Sequence, residues 1–351
     1  MNNKTTFVFS FEEGDSSDKQ LLGGKGANLC EMTRIGLNVP PGFVISTEAC
    51  LAYLDDSGHK LPDGVMDEVR TQMKAVEKKT GKGFGDADNP LLVSVRSGSA
   101  MSMPGMMDTV LNLGLNKTTL KGLISQTDNG RFAYDAYRRF IQLFGKVALG
   151  IPDEDFDNEF EAAKEKTGVS EDVGLSASDL RDISERFLDV VKRVTGHDFP
   201  EDPYQQLEIA IKAVFGAWSG KRAVDYRREY NITPQMANGT AVNIVTMVFG
   251  NLDDDSATGV AFTRYPDTGE NKLFGEYLIN AQGEDVVAGI RTPKSIDAMF
   301  EEMPELYREL QDLRSKLEKH YNEVIAIKCI SGYAHHLAGF GYVAELSGQV
   351  E

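Results

Sequence analysis

Residues 91–113 read LLVSVRSGSAMSMPGMMDTVLNL, and the rest of the chain is organised around this stretch. Leu91, Leu92, Val93 and Val95 on one side, with Val110, Leu111 and Leu113 on the other, are short apolar runs of strand length. The connector between them has little ordinary loop character. In place of Asp, Asn and Lys it carries Gly98, Ser99, Ser102, Gly105 and four methionines, with Arg96 at its entrance. Small residues let backbone N–H groups approach a ligand closely and cradle an anion. Arg96, at a strand end, can hold a phosphate through its planar fork. On these residues alone a second reading stands beside the first: a mobile loop whose Met side chains fill a gap in the core.

Working outward, Phe7 to Phe9 reads as a strand, and Leu21-Leu22-Gly23-Gly24-Lys25-Gly26 places a lysine among glycines just before a helix that runs to about Ile35 and stops at Gly36. Orphan N–H groups and the helix dipole favour an anion there, so Lys25 is a phosphate candidate. The stretch lacks the GxxxxGK[ST] spacing, and a glycine turn with a solvated lysine is the alternative. Phe43 to Ile45 is a further strand, followed by a mostly helical passage from Thr47 to Lys79. Gly81-Lys82-Gly83-Phe84-Gly85 precedes a strand instead of opening a helix, so it is a linker and no dinucleotide loop.

From Asn116 to Ser219 the pattern is helical. Phe132, Tyr137, Phe140, Ile141 and Phe144 stripe one helix, Leu180, Ile183, Phe187 and Val194 a second, and Leu207, Ile211, Val214, Phe215 and Trp218 a third. Pro203 suits a helix start, Gly196 and Gly220 suit stops, and Arg138-Arg139 reads as a solvated face or a docking point for a phosphorylated partner. Strands return at Thr240 to Phe249, Gly259 to Thr263 and Leu273 to Ile279, with Asp253-Asp254-Asp255 as a solvated hairpin turn lacking the ligand pattern of a calcium loop. Glu301 to Val324 is an amphipathic helix expected to cover a sheet.

The chain has 351 residues, 37 basic and 54 acidic, for a formal charge of −17. That charge repels nucleic acid, and no apolar run reaches the length of a membrane span. Cys30, Cys50 and Cys329 show no CxxC pairing, which fits small buried side chains in a reducing cytoplasm.

The strings VSVRSG, SMPGMMDTVLNLGLN, RFAYDAYRRF, TMVFGN, TGVAFTR, GEYLINAQGEDVVAG and LEKHY, in order between Phe7 and Val324, resemble the N-terminal nucleotide-binding domain of pyruvate phosphate dikinase. The resemblance implies an α+β, ATP-grasp fold with an inserted helical subdomain, in which two lobes hold ATP under a glycine-rich loop. Residues 1–115 would be the first lobe, 116–230 the inserted helical subdomain, 231–324 the second lobe and 325–351 a divergent tail. It also implies a kinase-type phosphotransferase. The family passes the β,γ part of ATP to a histidine on a swivelling domain, gives the γ-phosphoryl to inorganic phosphate and carries the β-phosphoryl to pyruvate, forming phosphoenolpyruvate.

By the same resemblance, Lys25 and Arg96 bind phosphate oxygens, and the loop through Gly105, Met107 and Thr109 covers the nucleotide. Thr246, Met247 and Val248 lie beside the adenine, while Thr263, Arg264, Gln282 and Glu284 line the phosphate side. The ligands are ATP and Mg2+, with metal ligands unassigned. Many relatives carry Gln where this chain has Val245, and Tyr265 stands in place of a smaller polar residue. The segment from Ile325 onward matches neither the family's acidic metal-binding strand nor its Gln-Thr-Arg strand, and His335-His336 lacks the Thr-Ser-His setting of the phosphorylated histidine. The expectation is a cytoplasmic monomer that cannot perform the full reaction alone. A separate phosphohistidine and pyruvate-binding chain would dock near Arg139. An inactive nucleotide-binding remnant, or a module of a phosphoenolpyruvate synthase-like water dikinase, are the alternatives. The tail should be loosely attached.

Overall fold

The computed structural model describes residues 5–107, 109–169, 172–288, 291–321 and 326–331, with the backbone alone for Glu284, Val287, Ala288 and 326–331. The chain divides into two compact units. One comprises residues up to Ala27 together with Pro41–Met247; the other comprises Asn28–Pro40 and the residues from Val248 onward. Both are mixed helix and sheet, as the α+β reading requires.

The first unit is built on an antiparallel five-stranded sheet of order β1-β2-β5-β3-β4, with β1 Val8–Ser10, β2 Gly42–Ile45, β3 Val93–Gly98, β4 Thr109–Leu113 and β5 Ala241–Thr246. The strand, loop, strand unit of residues 91–113 is thus an antiparallel pair. Arg96 stands opposite Thr109 across it. Two steps along β3, from Val93 to Val95, span three along β4, from Leu113 to Val110. The extra residue is accommodated where Asn112, fully buried at φ +60°, donates its Nδ2 to the carbonyl of Ala136 at 3.2 Å. β5 is buried along almost its whole length because it lies between β2 and β3.

Helix α1, Lys19–Arg34, begins earlier than its glycines suggest and is interrupted by Gly23, at φ 68° and ψ 161°. The glycine run is therefore a break within the helix. Gly36 does end that segment, at φ +76°. α2 Thr47–Asp55 and α3 Val65–Thr80 follow. Cys50, on α2, is fully buried with its Sγ 4.0 Å from the Phe215 carbonyl, and desolvation pushes its thiol up to about 12. Cys30 is buried as well.

The helical passage contains α4 Lys117–Thr127, α5 Gly130–Leu149, α6 Asp153–Thr167, α7 Ala177–Thr195, α8 Pro203–Ala217 and α9 Lys221–Glu229. The starts of α4, α5, α7 and α8 are capped by side chains. Asn116 and Thr119 form a capping box, Ser176 and Asp179 another, and Asp202 accepts from the Gln205 amide ahead of Pro203 at the first position of α8. The predicted stripes are core: Phe140 and Phe144 meet Phe199 with ring centroids 5.5 and 5.3 Å apart, and Phe156 meets Phe187 at 5.0 Å. Val194 is the exception, exposed near the end of α7. Gly220 caps the start of α9 and does not terminate α8, which ends at Ala217.

The second unit holds a four-stranded antiparallel sheet of order β8-β7-β6-β9, with β6 Ala257–Phe262, β7 Phe274–Ile279, β8 Lys294–Ser295 and β9 Ala326–Ser331. Asp253 to Asp255 is not a hairpin turn, because β5 and β6 belong to different sheets. Asp253 instead closes the turn into β6 by accepting from Ser256 Oγ at 2.7 Å. α10 Gly283–Ala288 and α11 Met299–Glu302 precede α12 Pro304–Tyr321, whose Leu306, Leu310, Leu313 and Leu317 are buried as their spacing predicts. The expected single helix from Glu301 is broken at Met303, ahead of Pro304. For Ala326–Ser331 the expectation of a loose tail is corrected, since this segment pairs with all six residues of β6, while the tail's other residues lie outside the described ones. His335 and His336 lie outside the described residues.

Candidate functional site

In the first unit, the break at Gly23 brings the continuing turn of α1 against the end of β3. The Gly24 amide donates to the carbonyl of Ser99 at 2.9 Å. A Cβ on Gly98 would lie 3.3 Å from Lys25 Cβ and 2.7 Å from Asn243 Nδ2, so the glycine is what admits Lys25 to the strand end that carries Arg96. The two predicted phosphate cations therefore come from elements far apart in sequence, with Lys25 Cβ beside Gly98, two residues past Arg96.

Arg96 is half-buried and its Nε donates to Ser94 Oγ at 3.1 Å. Beyond Gly98 the loop turns through Gly105, at φ +70° with open space where a Cβ would stand. Of its methionines, Met103 is buried, Met106 and Met107 are half-buried and Met101 is exposed, so the core-filling reading fits Met103 alone. Thr109 then opens β4 opposite Arg96. At the other end of the central strands, Thr246 faces Val93 and donates both N–H and Oγ1 to the Pro41 carbonyl, at 3.0 and 2.7 Å. Met247 continues the ladder to Leu92 at 2.9 Å. Three steps along β3, about 10 Å, lead from Val93 to Arg96.

In the second unit, Val248 is half-buried and Thr263 is wholly buried just past β6. The Arg264 guanidinium is gripped by α12: Nε and Nη2 donate to the two oxygens of Glu318 at 3.0 and 3.4 Å, and Nη1 donates to Gly269 O at 3.3 Å. Gln282 follows β7. Its amide N–H donates to Asp285 Oδ2 at 2.9 Å, while its own carboxamide, in a residue 4% exposed, has neither Oε1 nor Nε2 partnered within the described residues. An unpaired buried polar group costs about 1–3 kcal/mol, so this is a group that a ligand or an ordered water would satisfy. Glu284 lies in the first turn of α10. Among the described residues no group of three or more His, Cys, Asp or Glu comes together to hold a metal ion.

The arginine pair on α5 is not a solvated face. Arg138 is 4% exposed, donates from Nη2 to Asp135 Oδ1 at 2.5 Å and lies over the Phe160 ring at 4.6 Å. Arg139 Nε donates to the other oxygen of Asp135 at 3.0 Å. Burial pushes the Asp135 carboxyl up, but the charges of Arg138 and Arg139 outweigh it and hold the group far below the usual carboxylate range.

Three participants were missed in the sequence. Ser94 had a usable signal, since residues two apart on a strand share a face. Asn243 stood out only as one polar residue in the apolar run of β5. Asp135 shows the i, i+3 and i, i+4 spacing to both arginines, a pattern that says nothing of burial.

Among the described residues no helix is long and apolar enough to cross a membrane. The family model for the pyruvate phosphate dikinase AMP/ATP-binding domain matches residues 19–64 and 57–323. The chain is 58% identical over 319 residues to the pyruvate, phosphate dikinase of Entamoeba histolytica, covering 90% of this chain and 36% of that protein. It is 50% identical over 319 residues to the Clostridium symbiosum enzyme of the same name, covering 91% and 36%. Identity to the chloroplastic pyruvate, phosphate dikinase 1 of Arabidopsis thaliana is 52% over 325 residues, covering 92% and 33%. The chain thus spans about a third of the length of the curated relatives it matches. With a family model matched over most of its length, the chain belongs to the pyruvate phosphate dikinase AMP/ATP-binding domain family.

Proposed function

We propose that this chain is the MgATP-binding module of a pyruvate phosphate dikinase-like phosphotransferase, with an ATP-grasp arrangement. The observation that carries the reading is the placement of Lys25 beside Gly98, two residues past Arg96 on β3, in a chain of net charge −17 where anion binding must rest on local cations. Lys25 and Arg96 would take phosphate oxygens, the loop through Gly105, Met107 and Thr109 would cover them, and Thr246, Met247 and Val248 would lie beside the adenine. Thr263, Arg264, Gln282 and Glu284 would line the phosphate side. The unpartnered carboxamide of Gln282 supports its place there. Mg2+ would arrive on the nucleotide, in keeping with its habit of binding a few carboxylates plus substrate phosphates.

Phosphoryl transfer asks the protein chiefly to position the phosphates and neutralise their charge. In the whole dikinase reaction, ATP, phosphate and pyruvate give AMP, diphosphate and phosphoenolpyruvate. This module would supply the nucleotide step of that reaction. A phosphohistidine carrier and a pyruvate site would be needed beside it, the carrier docking near Arg139.

Calorimetry with MgATP on the wild type and Arg96→Ala tests the proposal. Removing a charged partner should weaken binding by about 1.5–3 kcal/mol, roughly ten- to a hundredfold. Equal affinities would remove Arg96 from the site, and no binding by the wild type would overturn the function.

A further inference from the structure

We propose that Ser94 is a positioning residue for Arg96, setting the plane in which the guanidinium meets a nucleotide phosphate. The inference deepens the nucleotide-binding reading above and rests on it. Ser94 lies on β3, 1% exposed, two residues before Arg96 and on the same face of the strand. Its Oγ accepts from Arg96 Nε at 3.1 Å and donates to the carbonyl of Val245 on β5 at 3.3 Å.

A hydroxyl has one proton and two lone pairs. With the proton directed to Val245, a lone pair faces Arg96, whose guanidinium can only donate. The relay runs from the backbone of the sheet's central strand through Ser94 to the root of the guanidinium. It fixes the torsion about the last rotatable bond of the arginine, and so the plane of the fork. Any oxyanion bound by Arg96 is then read through the Nη groups from one direction.

The location favours such a device. Ser94 sits between Val93 and Val95, opposite the extra residue that β4 carries, and such irregularities recur beside functional sites. A long flexible cation loses conformational freedom when it engages a phosphate, and a tie that orders it beforehand reduces that loss. Without the hydroxyl, the Nε–H bond that ties the fork to β5 through Ser94 would be lost.

The test uses the full chain with MgATP calorimetry and thermal unfolding without nucleotide. Ser94→Ala is expected to bind about tenfold more weakly, Ser94→Thr, which keeps the hydroxyl, to stay within about twofold of wild type, and the nucleotide-free melting temperature to move little. In an Arg96→Ala background, Ser94→Ala should change affinity less than about twofold, because the residue it serves is gone. Should Ser94→Ala fail to fold, Ser94→Cys, close in size but with a weakly accepting sulfur, takes its place with the same expected loss. Wild-type affinity in Ser94→Ala alongside a weakened Arg96→Ala overturns the positioning role and leaves the nucleotide site standing. A full penalty from Ser94→Ala in the Arg96→Ala background overturns it too, since the effect would then be structural. Failure of the wild type to bind MgATP overturns the proposed function and this role together.

Discussion

Gly23 and Gly98 meet backbone to backbone: a Cβ placed on Gly23 would stand 1.9 Å from the carbonyl oxygen of Gly98, and Gly23 holds φ at +68°. Two independent reasons therefore require glycine, a left-handed backbone and a contact with main chain that cannot move aside. The contact joins the break in α1 to the strand end that carries Arg96.

Gly23→Ala should accordingly destabilise the protein by more than about 4 kcal/mol, in the range reserved for strained or overpacked sites. Gly81 has the same φ of +68° but open space around it, so Gly81→Ala should cost only the backbone strain, about 1–2 kcal/mol. Urea unfolding of the two variants separates the effects. Similar costs would mean that the close approach of Gly23 and Gly98 is not what restricts the position.

Asp135 is 5% exposed between Arg138 and Arg139, and Asp135→Asn should cost about 3 kcal/mol at pH 7 by removing the nearest counter-charge of the buried Arg138, whose other partner, Asp172, stands 3.8 Å away. The sign of the pH dependence follows from the direction of its shift. The folded-state value is depressed, so the carboxylate's contribution is complete above the unfolded value near ~3.9 and is lost as pH falls below it toward the folded value. The stability gap between wild type and Asp135→Asn should therefore be constant from pH 7 to 5 and narrow below about pH 4. A gap that stays level to pH 3 in urea titrations would show that the charge on Asp135 is not the source of its contribution.

The pairing of Ala326–Ser331 along β6 changes what removal of the C-terminal residues should do. Truncation after Tyr321 would expose the hydrogen-bonding edge of β6, an unpaired edge that favours association with other chains. The melting temperature should fall by roughly 5 °C or more, accompanied by aggregation above the transition. An unchanged scan would show that these six residues add no stability to the second sheet.

Much of this architecture is written in local pattern. The stripes of α5, α8 and α12, the caps at Asn116, Ser176 and Asp202, the stop at Gly36 and the two strands around residues 96–109 all follow from interactions a few residues apart, which periodicity and capping chemistry report directly. The unusual composition around Arg96 likewise marked the loop before any partner was known, and the long matching strings identified the family. What only the tertiary structure decided is which distant segments meet. β5 enters between β2 and β3, so that Val245 can take the proton of Ser94 and Asn243 can stand under Gly98. β6 leaves that sheet, so that Asp253 to Asp255 close no hairpin, and Phe160 arrives from α6 to cover an arginine that helical spacing alone left on the surface. Strand partners and burial depend on contacts between elements well separated along the chain, set by the summed packing of whole elements, and no short window of sequence carries that sum.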